Sequence, residues 1–262
     1  MQDAHKNNMT TQTIDLSIYS QEFTIGSFDS DWHGNAKLTS ICNYLQEIAG
    51  NHVDKIGQGI DDLSQNNHAW VLSRMKIKIM RPAKWKETIR IETFPTGIKG
   101  LFGARDFRIY DQANEIIALA SSYWLVVDLI SHRPIRPHDI VKHMPIGNYS
   151  GVFEEELGKL TPLTQEAELI EEIKVHYSDI DINRHVNNVK YLKWLIDAFP
   201  SETLTEKPIS ELEINFLHEL KLNEQIQIFQ EFDGGMHMNC MIKSSTTGKE
   251  NCRARIKFNH LK

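Results

Sequence analysis

The chain has 262 residues, 40% of them apolar and 24% charged, with 29 Lys and Arg against 35 Asp and Glu for a net charge of -6. This is enough chain for one large or two moderate domains with a full core, and the acidic balance argues against a general nucleic-acid binder. No apolar run approaches the roughly 18 residues that crossing a bilayer requires, residues 1–13 read as a polar, disordered lead with no secretory character, and Cys42, Cys240 and Cys252 lack a C-x-x-C spacing, which points to a reduced, cytoplasmic setting.

In chain order, residues 19–28 read as a short strand. A polar turn through Asp29, Asp31, Gly34 and Asn35 then leads into a helix marked by Leu38, Ile41, Leu45, Ile48 and Ala49, with Gly50 and Asn51 as its stop signal. From residue 69 the period changes to two, with Met75, Ile77 and Ile79 alternating against Lys76, Lys78 and Met80 until Pro82 closes the strand. Further strands are expected at 87–94, 101–110 and 116–128, with a turn at 95–100. Residues 132–162 are richer in Pro, Gly and acidic side chains and read as a connection that can hold a short helix. The order then recurs, with a strand at 169–176, a polar stretch, a helix ending before Pro200, and strands at 209–219, 225–232, 236–244 and 252–259. The fold class is therefore α+β, built from two tandem copies of one unit, each an antiparallel sheet with a central helix. The expected division is 14–145 for the first unit, 146–166 for a linker and 167–262 for the second.

The second copy carries the chemistry. Residues 177–191 read Y-S-D-I-D-I-N-R-H-V-N-N-V-K-Y. In an extended segment Asp179, Asp181, Asn183 and His185 project to one side while Ile180 and Ile182 face the core. Val189, Leu192, Leu195, Ile196 and Phe199 follow at helical spacing, so the polar run ends at a helix N-terminus, where unpaired N–H groups can hold a carbonyl oxygen or oxyanion. Asp and Asn before a helix are also ordinary caps, and Asn187 and Asn188 suit that role. A helix needs only one cap, so the rest of the run calls for another explanation.

The duplicated layout together with D-x-N-x-H-V-N-N-x-K-Y resembles the acyl-acyl carrier protein thioesterases. W-V-L-S-R-M at 70–75, P-A-K-W-K-E at 82–87 and S-S-Y-W-L-V-V-D from Ser121 are similar to that family's first repeat. The resemblance implies a tandem double hotdog that hydrolyses acyl-carrier thioesters to free fatty acid in fatty acid biosynthesis, without metal or organic cofactor and with acyl carrier protein as partner. An acyl-CoA thioesterase of the same fold and a non-catalytic acyl-thioester sensor are the rival readings. Carried over residue by residue, the resemblance places the catalytic Asp, Asn and His at Asp181, Asn183 and His185, and a further acid at Glu219. Where plant members carry a cysteine after that acid, this chain has Leu220, or His218 if the register slips, so no cysteine nucleophile is expected.

On this reading Asp181, Glu219 and His185 position and deprotonate water, while Asn183 and the N–H groups of Val186 and Asn187 hold the thioester oxygen. Direct carboxylate attack through an anhydride is the competing route. Trp70, Leu72, Phe102 and Trp124 are first of all core residues, and the resemblance implies that such first-unit side chains line the acyl pocket. Arg74, Lys76, Lys78, Arg81, Lys84 and Lys86 form a basic stretch, read either as solvated strand faces or as a docking strip for the acidic carrier, with Arg133, Arg136 and Lys142 as additions. His132, His138 and His143 show no metal-site spacing. Two units in one chain make a monomer sufficient, and a homodimer is compatible with the family.

Overall fold

In the computed structural model of the chain, residues 15–141 and 144–259 are described; the expected lead at 1–13, Lys142 and His143 lie outside them. Two amphipathic helices, α1 (Leu38–Lys55) and α4 (Asn188–Asp197), supply the apolar faces around which the fold closes. On α1 the residues Leu38, Ile41, Cys42, Leu45, Ile48, Ala49 and His52 are buried, the three- and four-residue recurrence of a single helix face. α1 does not stop at Gly50. It continues through Asn51 to Lys55 because buried His52 is anchored from this face, and the chain turns only at Gly57, whose φ of 67° suits a residue without a Cβ.

The strands are β1 (Tyr19–Thr24), β2 (His68–Ile79), β3 (Thr88–Lys99), β4 (Phe102–Tyr110), β5 (Ile116–Asp128), β6 (Arg133–Ile135), β7 (Glu168–Lys174), β8 (Ile209–Phe216), β9 (Gln225–Phe232), β10 (His237–Ser244) and β11 (Glu250–Phe258), with short helices α2 (Ile60–Ser64), α3 (His138–Val141) and α5 (Ser201–Glu206) between them. The strands form one 11-stranded sheet in the order β1-β3-β4-β5-β2-β8-β11-β10-β9-β7, with β6 on β5. Read outward from the centre, the first half runs 2-5-4-3-1 and the second 8-11-10-9-7, the same order twice, as expected of a duplicated α+β unit. The halves join where β2 pairs antiparallel with β8, from Arg74 opposite Asn215 to Lys78 opposite Glu211. On the inner face of this seam Met75 meets Ile214 and Ile77 meets Leu212, all buried; on the outer face lysines oppose glutamates, and Lys76 Nζ lies 3.1 Å from Glu211. One apolar core joins α1 and α4 to both halves of the sheet.

Three further expectations are corrected. The turn at 95–100 is shorter, because β3 continues through Pro95 with a bulge before Gly97 and reverses only at Gly100 and Leu101. β8 ends at Phe216, so Glu219 sits beyond the strand. α5 is an additional helix with no buried residue and hence no apolar period to announce it. Residues 144–167 carry no helix or strand, yet Leu157 and Leu160 are buried. This segment is stapled to the sheet: Arg74 donates to the Leu157 carbonyl, Arg253 to that of Leu160, and the Leu160 N–H to Asn215 Oδ1 at 2.7 Å.

Candidate active site

The polar stretch is not extended. Tyr177–Asp179 forms a single 3-10 turn, and Ile180 and Val186 bridge to close the hairpin-like loop between them. Short polar side chains here fold back on their own backbone. Asp179 is buried and accepts from the His176 N–H at 2.9 Å, with Lys190 at 3.4 Å, so its role is structural support. Asp181 accepts from the Asn183 N–H at 2.8 Å, and its N–H donates to the His185 carbonyl at 2.9 Å. Ile182, expected in the core, is 87% exposed at the tip, whereas Ile180 packs against the core. Asn187 caps α4, its Oδ1 accepting from the Val189 N–H at 2.8 Å.

The first half repeats this turn. The Asp31 N–H donates to Asn35, Asp31 Oδ1 accepts from His33, Ser30 bridges Ala36, and the Lys37 N–H donates to Asp29 just as that of Asn187 donates to Asp179. Both turns need a left-handed fourth residue, Gly34 at φ 71° in the first and Arg184 at φ 64° in the second. An arginine in that region is strained by roughly 1 kcal/mol, so the second turn carries strain that the first avoids. The register extends further: Ala36 donates to the Ala83 carbonyl as Val186 donates to that of Leu220. Asp31, His33, Asn35 and Pro82 thus occupy the places of Asp181, Asn183, His185 and Glu219. The first half keeps one carboxylate, but its imidazole, His33, stands in the place of the asparagine and its amide, Asn35, in the place of the histidine, and Pro82 leaves it without the second acid.

In the second half, His185 Nε2 lies 3.1 Å from Glu219 Oε2. Both side chains are about half exposed, 47% and 53%, and Lys221 lies 3.6 Å from the other oxygen of Glu219. Residue 220 carries no nucleophile, since Leu220 is fully buried in the core. The three cysteines are buried as well, and desolvation pushes their thiols up, to about 12 for Cys42. Thiolate chemistry at neutral pH is therefore disfavoured for all three.

The two backbone donors expected at the oxyanion position are already engaged. The Val186 N–H donates to the Leu220 carbonyl at 3.3 Å and the Asn187 N–H to that of Asp179 at 2.9 Å. Both amides are consumed in tying the turn to its surroundings, a use that residue spacing does not disclose. Among the described residues nothing accepts from the His185 N–H, whereas its counterpart at Asn35 is held by Asp31 Oδ1 at 2.9 Å. No described group hydrogen-bonds the Asn183 carboxamide either.

A narrow slot of about 10 Å³ opens beside the start of α4, lined by Cys42 and Gln46 of α1, Leu72 and Met75 of β2, and Asn188, Val189, Leu192 and nearby β8 side chains. Such a volume is close to what a single water molecule needs. Gln46 and Asn188 meet there at 3.4 Å. Of the four expected pocket residues only Leu72 lines the slot. Trp70 and Trp124 are half-buried, with indole N–H groups on the Gln58 carbonyl at 3.1 Å and Ser122 Oγ at 2.8 Å. Phe102 stands apart, packed with Ala104, Tyr123 and Leu157 beneath the Arg74 guanidinium.

The basic stretch is also broken up. Arg74 is tied to Leu157, Lys76 to Glu211, and Arg81 to Glu87 at 2.7 Å and Asp111 at 2.6 Å. Those pairings hold the Glu87 and Asp111 carboxyls below the usual range. Lys78, Lys84 and Lys86 are exposed; Lys84 reaches Asn35, and Lys86 lies 4.3 Å over the Trp85 ring. Arg133 and Arg136 are exposed beyond β5. Among the described residues, no three His, Cys, Asp or Glu side chains converge as a metal site, and no helix is long and apolar enough to cross a membrane.

Comparison with known proteins accords with this geometry. A chloroplastic palmitoyl-acyl carrier protein thioesterase of Cuphea hookeriana is 28% identical over 216 residues, 77% of this chain and 52% of that relative. A chloroplastic oleoyl-acyl carrier protein thioesterase of Coriandrum sativum is 25% identical over 85% of this chain and 65% of its own length. The chain thus spans about half of the first relative and under two thirds of the second. The crystal structure of an acyl-ACP thioesterase from Bacteroides thetaiotaomicron superposes with a TM-score of 0.84 at 26% identity, covering 93% of this chain and 98% of that one. The 12:0-ACP thioesterase from Umbellularia californica shares the fold, with a TM-score of 0.83 at 22% identity over 92% and 97% of the two chains. The model of the acyl-ACP thioesterase N-terminal domain matches residues 17–144 and that of the C-terminal domain residues 163–260. Matched by both domain models over most of its length, this chain belongs to the acyl-ACP thioesterase family.

Proposed function

We propose that the protein hydrolyses the thioester of acyl-acyl carrier protein, releasing free fatty acid and the carrier thiol in fatty acid biosynthesis, and that it does so in the cytoplasm. The observation that carries this reading is the contact between His185 Nε2 and Glu219 Oε2 at 3.1 Å, beside the turn that presents Asp181 and Asn183. An imidazole backed by a carboxylate can take a proton from water as that water attacks the thioester carbon. Asn183 and the His185 N–H, both without a described acceptor, are suited to hold the oxygen as it becomes an oxyanion. When the tetrahedral intermediate collapses, the carbon–sulfur bond breaks and the imidazolium returns its proton to the departing thiolate. Asp181 holds the turn through the Asn183 N–H.

The division of labour we propose places this chemistry in the second unit, residues 167–262. The first unit, 14–145, contributes Leu72, Met75, Cys42 and Gln46 to the acyl-binding wall, which is supported by their place in the slot beside α4. The exposed Lys84 and Lys86 are the members of the basic stretch best placed to meet an acidic carrier.

Turnover of a chain-length series of acyl-ACPs, with matching acyl-CoAs, tests the reading. His185→Ala and Glu219→Gln are each expected to lower turnover at least tenfold, by the usual size of acid–base contributions, without lowering thermal stability, and Asp181→Ala, which removes the acceptor of the Asn183 N–H, is expected to lower both turnover and thermal stability. Near-wild-type turnover in these variants would refute the assignment. Binding without turnover by the wild-type protein would mark it as a sensor, and a higher kcat/KM for acyl-CoA would shift the carrier.

A further inference from the structure

The backbone that delivers Glu219 is held by a residue whose counterpart in the other half is apolar. β11 carries a one-residue bulge at Asn251, since Ile242 pairs with Cys252 while Lys243 pairs with Glu250. The Asn251 carbonyl accepts from the N–H groups of Leu217 at 2.8 Å and His218 at 3.3 Å. Its side-chain Nδ2 donates to the carbonyls of His218 at 3.3 Å and Glu219 at 3.2 Å. Because both neighbours are acceptors, only the nitrogen of the carboxamide can face them. The side chain is 2% exposed, and Oδ1 has no donor among the described residues.

The first half makes the same bulge. Ile109 pairs with Ala118 while Tyr110 pairs with Ile116, leaving Ile117 bulged, and the Ile117 carbonyl accepts from Met80 at 2.9 Å and Arg81 at 3.3 Å. Ile117 is buried like Asn251. An isoleucine is therefore sufficient for the bulge and for its double backbone acceptor. The residue that follows Arg81 is Pro82, which stands where Glu219 stands in the second half. The carboxamide is present only in the half that has the acid, and there it leaves one of its own atoms unsatisfied, an unfavourable arrangement that an apolar residue avoids.

We propose that Asn251 is a positioning residue for hydrolysis. Its side chain fixes the backbone of residues 218–219, so that the half-exposed Glu219 carboxylate stays on His185 rather than sampling solvent. β-Bulges beside active sites commonly re-aim side chains in this way. The proposal rests on the reading of Glu219 and His185 given above and adds the group that holds their geometry.

The test is Asn251→Ile, which installs the residue the first half uses at the equivalent place. Turnover of acyl-ACP, KM and thermal unfolding are measured for Asn251→Ile, for Glu219→Gln and for the double variant. We expect Asn251→Ile to melt no lower than wild type, to lower kcat about tenfold with KM within twofold, and to have no further effect when Glu219 is already Gln, since the two act through one contact. Asn251→Ser serves as a second variant, expected to show the same kcat loss with the small side chain, should isoleucine prove too bulky beside residue 219. Unchanged kcat in folded Asn251 variants would overturn the proposal, as would an undiminished loss in the Glu219→Gln background. If Glu219→Gln alone leaves kcat unchanged, it is the reading of the site that fails.

Discussion

His52 ties the protein's stability to pH between 7 and 5. The imidazole is 1% exposed; Nε2 lies 2.9 Å from the Leu16 carbonyl and so carries the proton, while Nδ1 accepts from the Arg105 guanidinium at 2.9 Å. Tyr19 stacks on the ring, with Lys55 4.3 Å over the Tyr19 ring in turn. Protonating Nδ1 would remove the acceptor of Arg105 and set two cations together in a buried site. Burial first, and the Arg105 charge second, push His52 down from 6.5 to about 4. The sign follows from proton counting. Between these two values the unfolded chain binds a proton at residue 52 that the folded chain does not, so stability falls as pH falls, and the loss is complete near the folded value. A shift from 6.5 to about 4, at about 1.4 kcal/mol per unit, amounts to about 3 kcal/mol in all. About 2 kcal/mol of that is lost between pH 7 and pH 5. Urea unfolding across this range, comparing wild type with His52→Gln, isolates the effect because carboxylates titrating elsewhere contribute to both proteins. The wild-type advantage is expected to shrink by about 2 kcal/mol from pH 7 to pH 5. Curves that stay parallel to within about 0.5 kcal/mol would show that His52 charges freely in the folded protein, and the argument from its burial would fall.

The duplicated turn supplies a control. Asp31→Ala removes the acceptor of the His33 and Asn35 N–H groups in the half without an imidazole–carboxylate pair, so kcat on acyl-ACP is expected to stay within twofold while thermal stability drops; a tenfold fall in kcat would place chemistry in the first half. Asn187→Ala deletes the cap on the Val189 N–H and is expected to destabilise the protein by about 1 kcal/mol in urea unfolding. Lys84→Glu with Lys86→Glu is expected to raise KM for acyl-ACP severalfold at low ionic strength, with the difference closing as salt screens the pair; a KM unchanged at low salt would remove these lysines from carrier docking.

Much of the architecture is legible in residue spacing because burial enforces it. Met75 and Ile77 alternate with Lys76 and Lys78 along β2, and Leu38, Ile41, Leu45 and Ile48 repeat along α1, so period alone separates strand from helix. The local signals failed where a tertiary contact outweighed them. Gly50 reads as a helix end, yet His52, held by Leu16 and Arg105, carries α1 past it. Alternation across 179–185 suggests a strand, but Asp179 and Asp181 accept from nearby backbone N–H groups and make turns instead. The proposed site is only partly legible. Asp181, Asn183 and His185 stand out as a run, and Glu219 emerged from family resemblance, since nothing in its own neighbourhood marks it. Asn251 gave no signal, because a bulge is a property of pairing register and not of any short window of sequence. The engagement of Val186 and Asn187 was hidden for the same reason, their acceptors being supplied by Leu220 and Asp179.

On the proposed function, the seam between β2 and β8 also constrains how an acyl chain would be admitted. Paired proteins that meet only through side chains can hinge apart, but here the halves share a hydrogen-bonded ladder from Arg74 to Lys78, with buried Met75 and Ile77 against Ile214 and Leu212 beneath it. Parting the halves at this line would strip backbone bonds and open the common core at once, a cost of global unfolding rather than of breathing. Widening of the slot beside α4 therefore falls to its movable lining, the unbranched side chains of Met75 and Gln46 with Leu72 and Leu192, whose rotamers can change while the sheet stays whole. If the slot takes the acyl chain as proposed, its opening is a matter of side-chain rotation on a fixed frame, and chain-length selectivity should respond to substitutions at those four positions more than to changes in the connection between the halves.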